Sequence, residues 1–191
     1  STVHCLVRAK NSQEAADRLA GTMEYYFGEE AMLLFGTRIR AICGDVSQPE
    51  FGLTEEVYKL LGETVDTVIH SAAMVKYFGH YEQIRQINVE GTQEVIDFCK
   101  CFNCFLGHVS TDAITGNYLV EQNVTGLFTE RDFYIGQNYK GNNYVRSKFE
   151  AENRILRGIR VDKLRASIFR MGNMTGRYLD GKFQPNMGEN A

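Results

Sequence analysis

The sequence predicts an α/β fold built on a doubly wound parallel sheet. Short apolar runs alternate with segments of helical periodicity, and the pitch of that alternation suits βαβ units. At 191 residues the chain fits one domain, large enough to bury a core without staples.

Taken in order, Val3 to Val7 (VHCLV) reads as a strand. Asn11 follows as a helix cap with Glu14 three residues on, and Ala15, Ala16, Leu19, Ala20, Met23 and Phe27 then recur at helical spacing. Ile39 to Cys43 is the second strand, followed by a short helix around Thr54 to Leu61. Val65 to His70 is the third, followed by a helix carrying Ile84, Ile87, Gly91, Val95, Cys99 and Phe102. Phe105 to Ser110, a helix from about Asn143 to Arg157, and a strand from Leu164 to Phe169 complete the pattern. A sheet so built is expected to be covered on both faces. The exception to the alternation is Asp112 to Asn142, a connection long enough to be a lid or binding loop rather than a linker. Its aromatic and leucine side chains, among them Tyr118, Leu119, Phe128, Phe133, Tyr134 and Tyr139, speak against a disordered insertion.

Composition narrows the partners. With 21 basic against 24 acidic side chains the formal charge is −3, so the chain lacks the basic footprint that nucleic acid or an anionic membrane selects. No apolar run approaches the ~20 residues that span a bilayer, and Ser1 opens neither a signal peptide nor a lipidation motif. Cys5, Cys43, Cys99, Cys101 and Cys104 form an odd set without framework spacing, which suits free thiols and a cytoplasmic location. Cys101 and Cys104 make a C-x-x-C but lack a four-ligand set, so no metal is expected.

Tyr144-Val-Arg-Ser-Lys148 places a phenol and an ammonium four residues apart on one helix face. A tyrosine titrates near 10, and a neighbouring cation stabilises its phenolate and makes it a usable acid or base. Ser110-Thr111 lies where a strand ends, the edge at which ligands sit in such sheets, so a hydroxyl there can donate to a carbonyl oxygen that Tyr144 protonates. The alternative for that hydroxyl is a structural cap. Arg8 closes the first strand, where a cation favours the 2′-phosphate of NADP over the ribose hydroxyl of NAD. Asp45 follows the second strand and can accept from an adenine amine or simply order a turn. Ser71, Ala72 and Ala73 follow the third strand and are small enough to let backbone approach a ribose and phosphate. Asn88 is an unfavourable helix-interior residue, which a buried hydrogen-bond network would explain.

The ordered set LVRA, GDV, HSAAMV, INVEGT, HVSTDAITG, YVRSK and FRMGNMTGR resembles the extended short-chain dehydrogenase/reductase superfamily. With the closing GKFQPN, it most resembles the thioester reductase domains of nonribosomal peptide synthetases and carboxylic acid reductases. The resemblance implies Thr111, Tyr144 and Lys148 as the catalytic set, with Ser110 and Gly172-Asn173 beside the nicotinamide. It implies that Lys148 also binds the nicotinamide ribose, and that Arg8 and Arg18 hold the 2′-phosphate of NADPH. Asp45 and Val46 would flank adenine, Ser71 to Ala73 the ribose and phosphates, and Asn88 would order a proton-relay network. Thr115 stands where many relatives have a tyrosine.

The implied reaction is NADPH-dependent release of an acyl or peptidyl chain from the phosphopantetheine thioester of a carrier protein, as an aldehyde or alcohol. A nucleotide-sugar epimerase, dehydratase or reductase, and a non-catalytic interaction domain, are the competing readings. The G-x-x-G-x-x-G loop expected before Val3, with its strand and helix, is not in the sequence, nor is a smaller substrate domain after Ala191. The 191 residues are therefore expected to be a fragment of one Rossmann-like domain, incomplete at its N-terminus, with a bare slot in its sheet. Such a fragment is expected to be inactive alone, to bind NADPH weakly or not at all, and either to associate through the open sheet or to fold only with the missing segments supplied.

Overall fold

The computed structural model describes residues 1–75, 80–123 and 125–183, so Gln184, Pro185 and Asn186 of the closing motif lie outside the described residues. Among the described residues five strands form, β1 (Val3–Val7), β2 (Ile39–Cys43), β3 (Thr67–His70), β4 (Phe105–Thr111) and β5 (Ala166–Met171), and every pairing between them is parallel. Between β1 and β2 run α1 (Ser12–Phe27) and the short α2 (Glu29–Met32). Between β2 and β3 runs α3 (Glu55–Thr64), and between β3 and β4 come α4 (Tyr81–Arg85), a π-helical turn (Gln86–Glu90) and α5 (Gly91–Cys101). After β4 a 3-10 turn (Asp112–Thr115) and α6 (Tyr118–Glu121) begin the long connection, and α7 (Asn143–Asp162) leads into β5.

Local chemistry starts these helices where the sequence predicts. The Asn11 side chain accepts from Glu14 N at 2.9 Å and the Glu14 carboxylate accepts from Lys10 N at 3.0 Å, a reciprocal cap worth about 1 kcal/mol. Asn142 caps α7 by accepting from Val145 N at 3.1 Å, which fixes the start of the helix one residue before Tyr144.

The strands divide into two hydrogen-bonded groups, β1-β2 and β3-β4-β5, with no pairing between β1 and β3 among the described residues. One apolar cluster nevertheless ties both groups together. Leu6 and Ile42 of the first group and Val68, Ala166 and Ile168 of the second pack on Leu106, Val95, Phe98, Cys99 and Ile155 from β4, α5 and α7. Phe51, Tyr58, Phe98 and Phe102 extend it as a ring cluster with centroids 5.0 to 5.8 Å apart.

Coverage differs from the sequence expectation of a sheet buried on both faces. Helix α1 packs on β1 and β2. On β3 and β5, by contrast, Ile69, Phe169 and Met171 are 64%, 48% and 42% exposed. A Cβ on Gly107 would meet Ile69 at 2.9 Å and Phe169 at 3.2 Å, so the missing side chain lets its two neighbours close over β4. That face lies bare because no described helix crosses it, whereas the opposite one carries α5 and α7. No helix among the described residues is long and apolar enough to cross a membrane.

The long connection from Asp112 to Asn142 is folded. Gln137, 2% exposed, donates to Ile114 O at 3.1 Å and Phe133 O at 2.7 Å and accepts from Ile135 N at 2.8 Å. Phe149 of α7 is stacked between Phe133 and Tyr139, with centroids 4.2 and 3.9 Å away. Gly136 adopts φ +110° under the Tyr118 ring, a conformation and a clearance that a side chain would forfeit.

Two glycines of otherwise similar helical context separate packing from propensity. A Cβ on Gly62 would fall 2.3 Å from the Phe102 ring, whereas Gly21 has nothing within 4 Å. Gly62→Ala is expected to cost about 1–3 kcal/mol by overpacking, and Gly21→Ala to gain about 0.5–1 kcal/mol. Urea denaturation midpoints test both, and a stabilising Gly62→Ala would show that the ring packs elsewhere.

Candidate active site

Parallel pairing brings the ends of β1 and β2 to one edge of their group and the ends of β3, β4 and β5 to one edge of theirs. Arg8 leaves β1, Asp45 lies just beyond β2, Ser71 to Ala73 follow β3, Ser110 and Thr111 end β4, and Gly172 and Asn173 follow β5. Within the β3-β4-β5 group the predicted residues from Ser71 to Asn173 therefore share one strand edge although they lie up to 102 positions apart. A Cβ on Gly172 would stand 3.3 Å from the Asp112 carboxylate, so the β5 exit touches the β4 exit.

Lys148 is the anchor. Its side chain enters from α7, is 4% exposed, and donates to Val109 O at 2.7 Å, one residue before the Ser110-Thr111 pair. Burial pulls the ammonium down from 10.5 to about 8, and Glu152 on the same helix offsets part of that fall. Tyr144, half-buried, stands one turn before it on the same helix. The structure shows Thr111 in the capping role: its Oγ1 accepts from Ala113 N at 3.2 Å, starting the 3-10 turn, and its hydroxyl proton faces Asp112 Oδ1 at a long 3.5 Å. Ser110 is 4% exposed, and its hydroxyl meets no protein hydrogen-bond partner among the described residues.

Asn88 sits inside the π-helical turn, 2% exposed, and the predicted network is there. Its Oδ1 accepts from Met74 N at 2.7 Å, and its Nδ2 donates to Met74 O at 2.9 Å and to Ser147 Oγ at 2.8 Å. Ser147 in turn donates to Tyr144 O at 2.7 Å. On the other side Thr92 donates to Asn88 O at 2.6 Å, which commits its one proton, so the 2.9 Å contact from His70 is an Nε2–H donating to Thr92 Oγ1. Every proton in this chain has one direction.

Beneath the strand ends the register pairs His70 with His108, rings 5.1 Å apart and both almost fully buried. Burial, with Lys148's charge second, pulls His70 to about 3 and His108 to about 2. Both are neutral at pH 7. In the sequence His70 reads as a strand end and His108, with Cys99, as a neighbour of the C-x-x-C pair; that the two histidines face each other follows from the register of β3 on β4.

Around the ends of β1 and β2 the side chains are more open. Arg8, Lys10 and Arg18 are exposed around the α1 N-terminus, and the Arg18 guanidinium donates to Arg8 O. Lys10 escaped the sequence reading, although its place beside Arg8 could have flagged it. Asp45 accepts from Ser47 N at 2.9 Å and Ser47 Oγ at 2.7 Å, so one carboxylate oxygen orders a turn. Val46 lies against Gly91, where a Cβ would come 3.1 Å from its carbonyl oxygen. Thr115, Gly116, Leu119, Val120 and Phe128 line a cavity of about 480 Å³ past the end of β4. No group of three or more His, Cys, Asp or Glu side chains among the described residues could hold a metal. Cys99 and Cys104 are buried thiols, and burial pushes Cys99 up to about 12.

A family model described as "Male sterility protein", an NAD-binding family, matches residues 1–189. The L-2-aminoadipate reductase large subunit of Penicillium chrysogenum is 31% identical over 189 residues, covering 94% of this chain and 13% of that protein. Among solved structures, a thiolation-reductase di-domain from an archaeal non-ribosomal peptide synthetase superposes with a TM-score of 0.84 at 32% identity, covering 100% of this chain and 39% of that one. The chain therefore spans a minor part of the relatives it matches. UDP-glucuronic acid 4-epimerase from Bacillus cereus, solved with NAD, is similar in fold alone, with a TM-score of 0.57 at 21% identity, covering 78% of this chain and 43% of that one.

The buried basic groups make stability depend on pH in two windows. His70 and His108 have folded values below the ordinary 6.5, so their contribution is whole above pH 6.5 and is lost as the pH falls toward 3. The expected slope is at most about 1.4 kcal/mol per pH unit for each ring. Lys148, held near 8, takes up a proton on unfolding between pH 8 and 10.5, so its cost is fully present below 8. Lys148→Met is therefore expected to raise stability at pH 7 by about 1–3 kcal/mol, and His108→Leu to flatten the acid limb. Urea midpoints from pH 4.5 to 9.5 check both, and a less stable Lys148→Met at pH 7 would contradict the burial cost.

Proposed function

Because the chain belongs to the male sterility protein family of NAD-binding domains, within the extended short-chain dehydrogenase/reductase superfamily, we propose that it is the catalytic and cofactor-binding portion of an NADPH-dependent thioester reductase. The substrate is an acyl or peptidyl chain on the phosphopantetheine arm of a carrier protein in the cytoplasm, and the product is an aldehyde. The observation that carries this reading is the Lys148 ammonium, buried and bonded to Val109 O directly under Ser110-Thr111 and one turn from Tyr144.

The residues present fit a dinucleotide. The buried Ser110 hydroxyl and the remaining Lys148 protons suit the nicotinamide ribose end, with Gly172 and Asn173 beside it, and the small Ser71, Ala72 and Ala73 suit close approach by ribose and phosphate. Arg8 and Arg18 supply fixed positive charge suited to a 2′-phosphate, Asp45 and Val46 flank the adenine, and a glycine turn between β1 and β3 would complete the phosphate cradle. When bound, the cofactor supplies the hydride.

The chain's own groups handle the oxygen and its proton. Thr111 and Tyr144 donate to the thioester carbonyl oxygen as negative charge builds there, which is where fixed donors lower the barrier most. Lys148 stabilises the phenolate that Tyr144 becomes on giving up its proton. The hemithioacetal then collapses to aldehyde and pantetheine thiol. Asn88 acts by position, since both of its amide protons are committed to Met74 O and Ser147. The cavity past Thr115 receives the chain being released.

In the intact parent protein, Tyr144→Phe should cut turnover of an acyl-pantetheine thioester by about 10²-fold or more while NADPH still binds. Parental turnover in that variant would remove the tyrosine from the mechanism, and turnover of UDP- or dTDP-sugars without any thioester activity would replace the reading with the epimerase class. Arg8→Ala should narrow the preference for NADPH over NADH, to which a charge-assisted contact contributes about 1.5–3 kcal/mol. Equal use of both cofactors by the parent would defeat the NADPH assignment.

A further inference from the structure

Lys148 and Glu152 lie four residues apart on the buried face of α7, the spacing at which acid and base on one helix pair with each other. Among the described residues they do not. Lys148 Nζ goes to Val109 O at 2.7 Å. Glu152, 0% exposed, is taken by Arg170 of β5, whose Nη2 donates to Oε2 at 2.9 Å while Nε lies 3.3 and 3.2 Å from the two oxygens.

The far side of the same guanidinium is spent on the long connection. Nη1 donates to Asp132 O at 2.9 Å and Thr129 O at 3.4 Å, and the group lies 5.2 Å over the Phe128 ring. That turn is set by Asp132, whose Oδ2 accepts from Thr129 N and Oγ1, both at 2.8 Å. One residue after Lys148, Phe149 is clasped by Phe133 and Tyr139 of the same connection.

We propose that Arg170 is a positioning residue that keeps Glu152 from capturing Lys148, and that the docked 128–133 turn holds Arg170 to that task. The groups facing Lys148 are Tyr144 and Glu152 of its own helix, His70 of β3, His108 of β4 and, beyond Glu152, Arg170 of β5. Both imidazoles are neutral at pH 7, so Glu152 is the anion that decides the ammonium's balance among these groups. A buried carboxylate stripped of its guanidinium must find another cation, and Lys148 is the one on its own helix face. Paired with Glu152, the ammonium would hold its proton to higher pH and would move away from Val109 O and from the Tyr144 phenol.

The test uses the intact parent protein, with Lys148 titration followed by NMR of lysine labelled at Cε and the pH profile of kcat followed on a thioester. Arg170→Met should move the Lys148 titration and the alkaline limb upward by about 1–3 units, and adding Glu152→Gln to it should bring both back. Arg170→Lys, which keeps a cation beside Glu152, should leave them near the parental position. Asp132→Ala, a change in a surface turn that keeps both buried charges and is expected to fold, should move the titration part of the way. An unmoved titration in Arg170→Met, or an upward move that Glu152→Gln does not reverse, would reduce Arg170 to a structural brace and overturn the proposal. No movement in Asp132→Ala would overturn the role of the turn. The kcat arm rests on the reductase reading and the titration does not. A shifted titration without thioester turnover in the parent would therefore sink that reading alone, and turnover with an unmoved titration would sink this one alone.

Discussion

The side-chain amide of Asn88 is the joint on which the site depends. It binds the backbone of Met74 from both sides and the hydroxyl of Ser147, so one residue in a π-helical turn fixes the segment after β3 against the first turn of α7. An α-helical turn would advance the side chain by 100° per residue, and the wider turn here absorbs an extra backbone position that lets an interior asparagine face the loop. Without that joint, the small residues after β3 and the Tyr144-Lys148 pair would lie on elements free to shift independently, and the spacing between that loop and α7 would be loose.

Around this joint the protein buries an unusual amount of polar chemistry. His70, His108, Ser110, Ser147, Lys148 and Glu152 are all less than 5% exposed, and they occupy the layer between β3-β4 and α7 where aliphatic side chains would pack with less desolvation cost. Hydrogen bonds of His70, Ser147 and Lys148 and the Glu152–Arg170 ion pair offset part of that cost, whereas both His108 ring nitrogens and Ser110 Oγ meet no partner among the described residues, and Lys148 keeps part of the cost as a lowered affinity for its proton. The apolar cluster of Leu106, Ile155, Phe98 and their neighbours lies directly below and supplies the stability that the polar layer does not.

Much of this was legible in the sequence because it is local. The Asn11-Glu14 cap, the strands Val3–Val7 and Ile39–Cys43, and the Tyr144-Lys148 spacing follow from periodicity and short-range hydrogen bonding. Errors arose where packing overrode local signals. The helix expected to end at about Arg157 runs on to Asp162, and Gly158 within it makes room for Leu164, to which a Cβ there would come within 3.1 Å. Val65 was assigned to a strand but closes α3 by donating to Leu61 O, so β3 starts at Thr67. The helix expected from Ile84 to Phe102 is interrupted by the π-helical turn around Asn88. Glu152 was readable as the next step of the Tyr144-Lys148 face, but Arg170 as its partner depends on β5 lying beside β4, which no spacing announces.

The fixed direction of every proton from His70 through Thr92, and from Asn88 through Ser147, constrains how these positions can vary. Each hydroxyl must both give and receive, so serine and threonine can exchange for one another, whereas alanine, valine or asparagine would leave a neighbour unanswered in a dry interior. Residues from 70 to 147 are thereby bound into one inherited unit. A chain that acquires this site by recombination keeps it only if both ends of the unit arrive together, and a chimera joined between α5 and α7 inherits two half-networks whose polarities have to match.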